Sequence, residues 1–154
     1  MPRTSLRIAG VDPSGDAELA QSLWGIQRAA YAVEAHLIGD DRIPVLHESV
    51  SDLQSAGVRW MAAFVDAELV GAVAWSESAE EVEIDRLFVA PRRHGRGFGR
   101  ALILRVLDRA SPRHTHVSTG RDNAPARGLY ERLGFTHIDD VEVIEGLWIS
   151  RYRS

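Results

Sequence analysis

Residues 82–104 read VEIDRLFVAPRRHGRGFGRALIL. The segment begins as a strand, breaks at Pro91, passes alternate glycines ringed by arginine, and then takes up a helical period. Gly95, Gly97 and Gly99 let backbone N–H groups turn inward, and the helix after them points its positive end at the same spot. A nest of that kind suits an anion, a pyrophosphate above all. The spacing is G-x-G-x-G, so the dinucleotide fingerprint G-x-G-x-x-G is not met. Taken alone, the glycines describe a tight turn between strand and helix equally well.

Composition narrows the chemistry on either side of this stretch. The 154 residues are 45% apolar, about the size of one domain with its own core, so residues 1–154 are read as one domain. All 18 basic residues are arginine, which excludes a phosphate-loop lysine and a Schiff-base lysine. There is no cysteine, hence no disulfide, thiolate nucleophile or cysteine-held metal. The net charge of −4 argues against a nucleic-acid partner, yet Arg92, Arg93, Arg96 and Arg100 crowd together and point to a local anionic ligand. No long apolar run spans a membrane, and the opening MPRTSLRIAGVD lacks the apolar centre of a secretion signal; a cytoplasmic location is the expectation.

Working outward, Leu6 to Ala9 form a short strand and Asp12 to Asp16 a turn into a helix. Leu19, Leu23, Ile26, Ala30, Val33 and Leu37 recur at helical spacing, with Gly39 as the stop. A short second helix lies around Val50 to Ser55. Arg59–Val65 and Glu68–Trp75 form a hairpin about Asp66-Ala67. Past the glycines come a helix ending before Pro112, a strand from His114 to Ser118, and a helix capped near Asn123 and closed by Gly134. Two strands, Phe135–Ile144 and Leu147–Tyr152, finish the chain. The expected fold is α/β: a mixed central sheet of about seven strands with helices on both faces, in the order β-α-α-β-β-β-α-β-α-β-β.

The central stretch resembles the acyl-CoA-binding core of the GNAT superfamily of N-acetyltransferases. Its signature is glutamine or arginine, two residues, glycine, one residue, then glycine or alanine. The match falls on His94-Gly95-Arg96-Gly97-Phe98-Gly99, with His94 as a departure at the first position. A second register, Arg92 to Gly97, satisfies the letters but starts the helix two residues early. Residues 123–135, NAPARGLYERLGF, look like the family's next element and agree independently. The resemblance implies that Leu87, Phe88 and Val89 offer main-chain contacts to the pantetheine arm. It implies that residues 94 to 100, with Arg96 and Arg100 facing the ligand, hold the pyrophosphate; Asn123 is placed near the cofactor or simply caps its helix. The co-substrate implied is acetyl-CoA and the partner an amine acceptor. A homodimer through the terminal strands is a family expectation.

An amine of pKa ~10.4 is neutral about once in 2,500 molecules at pH 7, so direct attack on a thioester needs a proton acceptor. Glu83 and Asp85 stand two apart on the strand, and alternation places them on one face with Leu87 and Val89. Either can serve as general base through a water, and the sequence leaves the choice open. Tyr130 matches the family's general acid, which protonates the departing thiolate; an aromatic core residue is the plainer alternative. His114 and His116 share a strand face but lack a third ligand nearby, so no metal site is expected. The implied activity is acetyl transfer from acetyl-CoA to a primary amine by direct attack in a ternary complex. The competing reading is a non-catalytic acyl-CoA-binding sensor or scaffold module.

Overall fold

The computed structural model describes residues 5–154; the first four residues of the opening stretch lie outside them. The strands are β1 (Leu6–Val11), β2 (Arg59–Val65), β3 (Glu68–Glu77), β4 (Glu81–Val89), β5 (His114–Gly120), β6 (Thr136–Ile144) and β7 (Leu147–Arg153). The helices are α1 (Ala17–Ile38), α2 (Val50–Gln54), α3 (Phe98–Ala110) and α4 (Ala124–Arg132). One sheet holds all seven strands in the order β1-β2-β3-β4-β5-β7-β6. The expected element order and mixed sheet are present. No helix among the described residues is long and apolar enough to cross a membrane.

Local chemistry sets the boundaries. Asp16 caps α1 by accepting from the Leu19 N–H, and Gly39 ends it in the left-handed conformation at φ 69°. Asp66 and Ala67, both at positive φ, make the two-residue turn that joins β2 to β3. For Ala67 that conformation is strained, which is why alanine is an awkward residue for this turn.

Two cores flank the sheet. Phe98, Leu102, Ile103 and Val106 of α3 pack with Tyr130 of α4 and with Val82 and Ile84 of β4 on one side. Ala20 and Leu23 of α1 pack with Leu53 of α2 and with Trp60, Ala72 and Phe88 on the other. The inward face of α1 is not the one its apolar spacing suggests. Val33 and Leu37 are exposed, while Gln27 is fully buried. Past Leu23 the helix turns a polar stripe, Gln27, Tyr31 and Glu34, toward the sheet.

β4 and β5 form the one parallel pair among the described strands, and they pair only from Glu81 to Glu83 against His114 to His116. Beyond that point they part. The closed end of the resulting V is clamped by Glu77, whose carboxylate meets Arg59 at 3.1 Å, Arg109 at 2.8 Å and Arg113 at 2.9 Å. Hydrogen bonds from Arg109 and Arg113 hold the Glu77 carboxyl down from its ordinary 4.5 to about 2. A depressed value means stabilisation that is complete above the ordinary value and lost as pH falls toward about 2. Glu77→Gln should therefore cost about 1 kcal/mol at neutral pH, and the gap to the parent should close under strong acid. Denaturant titrations of both proteins at the two extremes check this.

Candidate active site

The parting of β4 from β5 is reinforced by an extra residue. Ile84 pairs with Trp75 and Arg86 with Ala74, so Asp85 is bulged out of the ladder. The bulge reverses the alternation: Val82 and Ile84 face α3, whereas Phe88 faces α1. Glu83 consequently does not share a face with Leu87 and Val89, which corrects the simple two-residue spacing argument. Neither cavity described below is lined by Glu83. Asp85 lines the smaller one, but its Oδ2 accepts from Arg86 Nε at 2.6 Å.

Arg86 is 5% exposed, and a guanidinium so placed needs full pairing. Its Nη1 donates to Glu48 Oε1 at 2.6 Å and to Gln27 Oε1 at 3.1 Å. Gln27 donates in turn to the Val45 carbonyl and to Glu48. This network ties the segment before α2 to the bulge. Its members are scattered through the sequence with no shared spacing, so only the structure reveals them.

In an antiparallel ladder, alternate residues turn their backbone groups to opposite neighbours. The Ala90 N–H bonds to Val70 of β3, so Leu87 and Val89 turn theirs into the gap, and Phe88 turns back to β3. Of the three residues expected to offer main-chain contacts, Phe88 is thus removed; its side chain is core. At Leu87 the Tyr31 hydroxyl fills the place of the missing strand, accepting from the N–H at 3.2 Å and donating to the carbonyl at 3.3 Å. The Val89 carbonyl accepts from His94 Nε2 at 2.7 Å. His94, the departure from the glycine signature, therefore latches its own loop back onto β4.

Gly97 caps α3 at φ 83° without any side-chain bond, and α3 begins at Phe98, in agreement with the register that starts at His94. The first intrahelical bond runs from the Ala101 N–H to Gly97, leaving the N–H groups of Phe98, Gly99 and Arg100 open. They face a cavity of about 720 Å³ that is also lined by Gly95, His94 and Leu129. Arg93, Arg100 and Arg132 border it; Arg96 does not. Arg92 and Arg93 are both paired with Glu68, and Arg93 Nε is buried without a partner.

A second cavity of about 420 Å³ adjoins the first, and the two share Tyr31, Glu34, Leu87, Asn123, Ala126 and Leu129. Tyr130 lines the smaller one. Burial pushes the Tyr130 phenol well above its ordinary value, with the Glu34 charge adding to the effect. Its hydroxyl makes no hydrogen bond to another described residue and so remains a free donor. Asn123 caps α4 by accepting from the Ala126 N–H at 3.2 Å, while its Nδ2 donates to Thr119 Oγ1 at 3.2 Å. Tyr31 and Glu34 reach these cavities from a polar stripe of α1, which on an amphipathic helix reads as its wet face, and Thr119 reaches the smaller one from β5.

A family model described as the acetyltransferase (GNAT) family matches residues 20–135. The chain is similar to UPF0157 protein YqkA of Bacillus subtilis (strain 168), at 32% identity over 136 residues, 88% of this chain and 40% of that protein. It spans between 32% and 43% of the length of the curated relatives it matches. Among solved structures it resembles an acetyltransferase from Thermus thermophilus, with a TM-score of 0.75 and 23% identity over 100% of this chain and 99% of that one. It also resembles the PaiA N-acetyltransferase from Thermoplasma acidophilum in complex with coenzyme A, with a TM-score of 0.71 and 18% identity over 97% and 99% of the two chains. At these identities the structural likeness speaks for the fold.

Removing the Tyr31 hydroxyl strips both backbone groups of Leu87 of their partner while leaving the ring edge against Phe88. Tyr31→Phe should lower stability by about 1 kcal/mol and speed hydrogen exchange at the Leu87 amide, measured by NMR.

Proposed function

The chain belongs to the acetyltransferase (GNAT) family, and we propose that residues 1–154 form an N-acetyltransferase domain that moves an acetyl group from acetyl-CoA to a primary amine. The observation that carries this reading is the pair of adjoining cavities at the strand gap. One is headed by open N–H groups and arginines, the other by a free phenol.

The larger cavity suits an elongated anion. Open N–H groups at the start of α3, the positive end of that helix, Arg100 and Arg132 would receive phosphate oxygens. The N–H of Val89, turned into the gap, would meet an amide of the pantetheine arm, and Leu87 would do so only where Tyr31 gives way. Arg96, exposed and outside the cavity lining, contributes no more than general positive charge in this reading.

Acetyl-CoA supplies a thioester, and its acetyl group passes to nitrogen as the C–N bond forms and the C–S bond breaks. Tyr130, kept protonated by burial, donates its proton to the departing sulfur. Thiols have a pKa near ~8.5, so that leaving group needs only modest help. Of the two β4 carboxylates considered as base, Asp85 borders the smaller cavity, where an acceptor amine would sit; Glu83 does not. With Asp85 held by Arg86, its charge shapes the wall of the acceptor cavity more than it offers a free base. A cytoplasmic location belongs to the same reading, and the expected homodimer would cover the free edge of β6, where Ile138, Val143 and Ile144 are exposed.

Two substitutions test this. Gly97→Val forces a branched side chain into a left-handed backbone at φ 83° and should weaken coenzyme A binding by at least about tenfold in calorimetry. Unchanged affinity would refute the nest. Tyr130→Phe should slow acceptor-dependent thiol release by ~10- to 100-fold with little change in coenzyme A affinity. Tight coenzyme A binding without acceptor-dependent thiol release from any amine would favour a sensor over an enzyme.

A further inference from the structure

Glu34 is the one carboxylate that lines both cavities. It projects from α1 across the gap and ties that helix to β5: Oε1 accepts from Thr119 Oγ1 at 3.1 Å and from the Gly120 N–H at 3.4 Å. Asn123 steadies the arrangement by donating to the same Thr119 oxygen. Ile38, one helical turn on, packs so close to Gly120 that an added Cβ there would meet it at 3.1 Å. The Glu34 carboxylate is thus fixed in place by one oxygen.

Its other oxygen, Oε2, has neither a hydrogen bond nor an ion pair among the described residues. That distinguishes it from Asp85, the only other carboxylate lining the smaller cavity, which Arg86 holds at 2.6 Å. Tyr31 and Tyr130 flank Glu34, and its negative charge reaches both rings: after burial, it is the next cause that pushes each phenol upward. A half-buried carboxylate with a free oxygen, no counter-charge and an open cavity before it is completed by a cation.

We propose that Glu34 receives the ammonium group of the acceptor at Oε2 and takes its proton, a role that rests on the acetyltransferase reading. Two protons leave the nitrogen as the C–N bond forms. One passes to Glu34 and then to solvent. The other replaces the proton that Tyr130 gives to sulfur when the C–S bond breaks. The net change is one ammonium and one thioester converted to one amide, one thiol and one released proton.

The test measures thiol release from acetyl-CoA by the full chain with spermidine, a peptide with a free N-terminus and a lysine peptide blocked at its N-terminus. Glu34→Gln keeps an oxygen for Thr119 and Gly120, so the fold should survive and coenzyme A affinity should stay within about threefold. For whichever amine is used, kcat/KM should fall by about 100-fold or more, and Glu34→Asp should recover part of it. The activity left in Glu34→Gln should climb by about tenfold per pH unit, following the neutral amine, more steeply than in the parent. A Glu34→Gln protein within about threefold of the parent would overturn the inference, as would a loss accompanied by weakened coenzyme A binding and no recovery at high pH. Loss on Asp85→Asn without loss on Glu34→Gln would move the role to Asp85. A parent that binds coenzyme A but shows no amine-dependent release overturns the acetyltransferase reading itself, and this inference with it.

Discussion

Parting two strands inside a sheet leaves backbone N–H and C=O groups without the partners a ladder would provide, and every feature of the site answers that deficit. β4 and β5 are paired only as far as Glu83 and His116. Beyond that, the bulge at Asp85 turns β4 aside, Tyr31 takes over both backbone groups of Leu87, and His94 caps the Val89 carbonyl. On the β4 side the Val89 N–H is left open at the mouth of the gap, beside the open first turn of α3. A ligand that brings amide and phosphate groups to those positions completes the structure as an added strand and an anionic cap would.

Helix α1 is the second half of the same solution. One stripe of it, Gln27, Tyr31 and Glu34, reaches the bulge network, β4 and β5 in succession, so a single helix bridges the two arms of the V. The arrangement separates two electrostatic regions a few residues apart. Arginines and open N–H groups head the larger cavity, the Asp85–Arg86 pair stands at the smaller, and Glu34 lies where the two meet. In the proposed reaction an anionic co-substrate and a cationic acceptor would be drawn to different ends of one passage, which is the polarity a direct transfer requires.

Much of this was legible in the residues. The glycine run, the Pro91 break and the Asn123 cap placed α3, α4 and the strand before them, because each depends on local backbone chemistry that a short sequence states outright. The α1 boundaries were equally clear from Asp16 and Gly39. Its inward face was not, since Val33 and Leu37 imitate a core stripe while lining an open cavity, and the polar residues beside them look solvated. The bulge at Asp85 was invisible for another reason. A one-residue slip arises from pairing with β3, which no periodicity within β4 records, and it undid the shared face assigned to Glu83 and Leu87. The partners of Arg86 on α1 and before α2, Gln27 and Glu48, lie far off in sequence, and nothing within β4 announces them.

The central claim is that the gap between β4 and β5, headed by the first turn of α3, is where coenzyme A binds. Amide chemical shifts of isotope-labelled protein titrated with coenzyme A test it most directly. The account predicts the largest changes at Val89 and at residues 95–100, with changes at Leu87 only as far as Tyr31 is displaced. Saturable binding whose largest changes fall instead on β1, β6 or the far end of α3, with residues 95–100 unmoved, would contradict it.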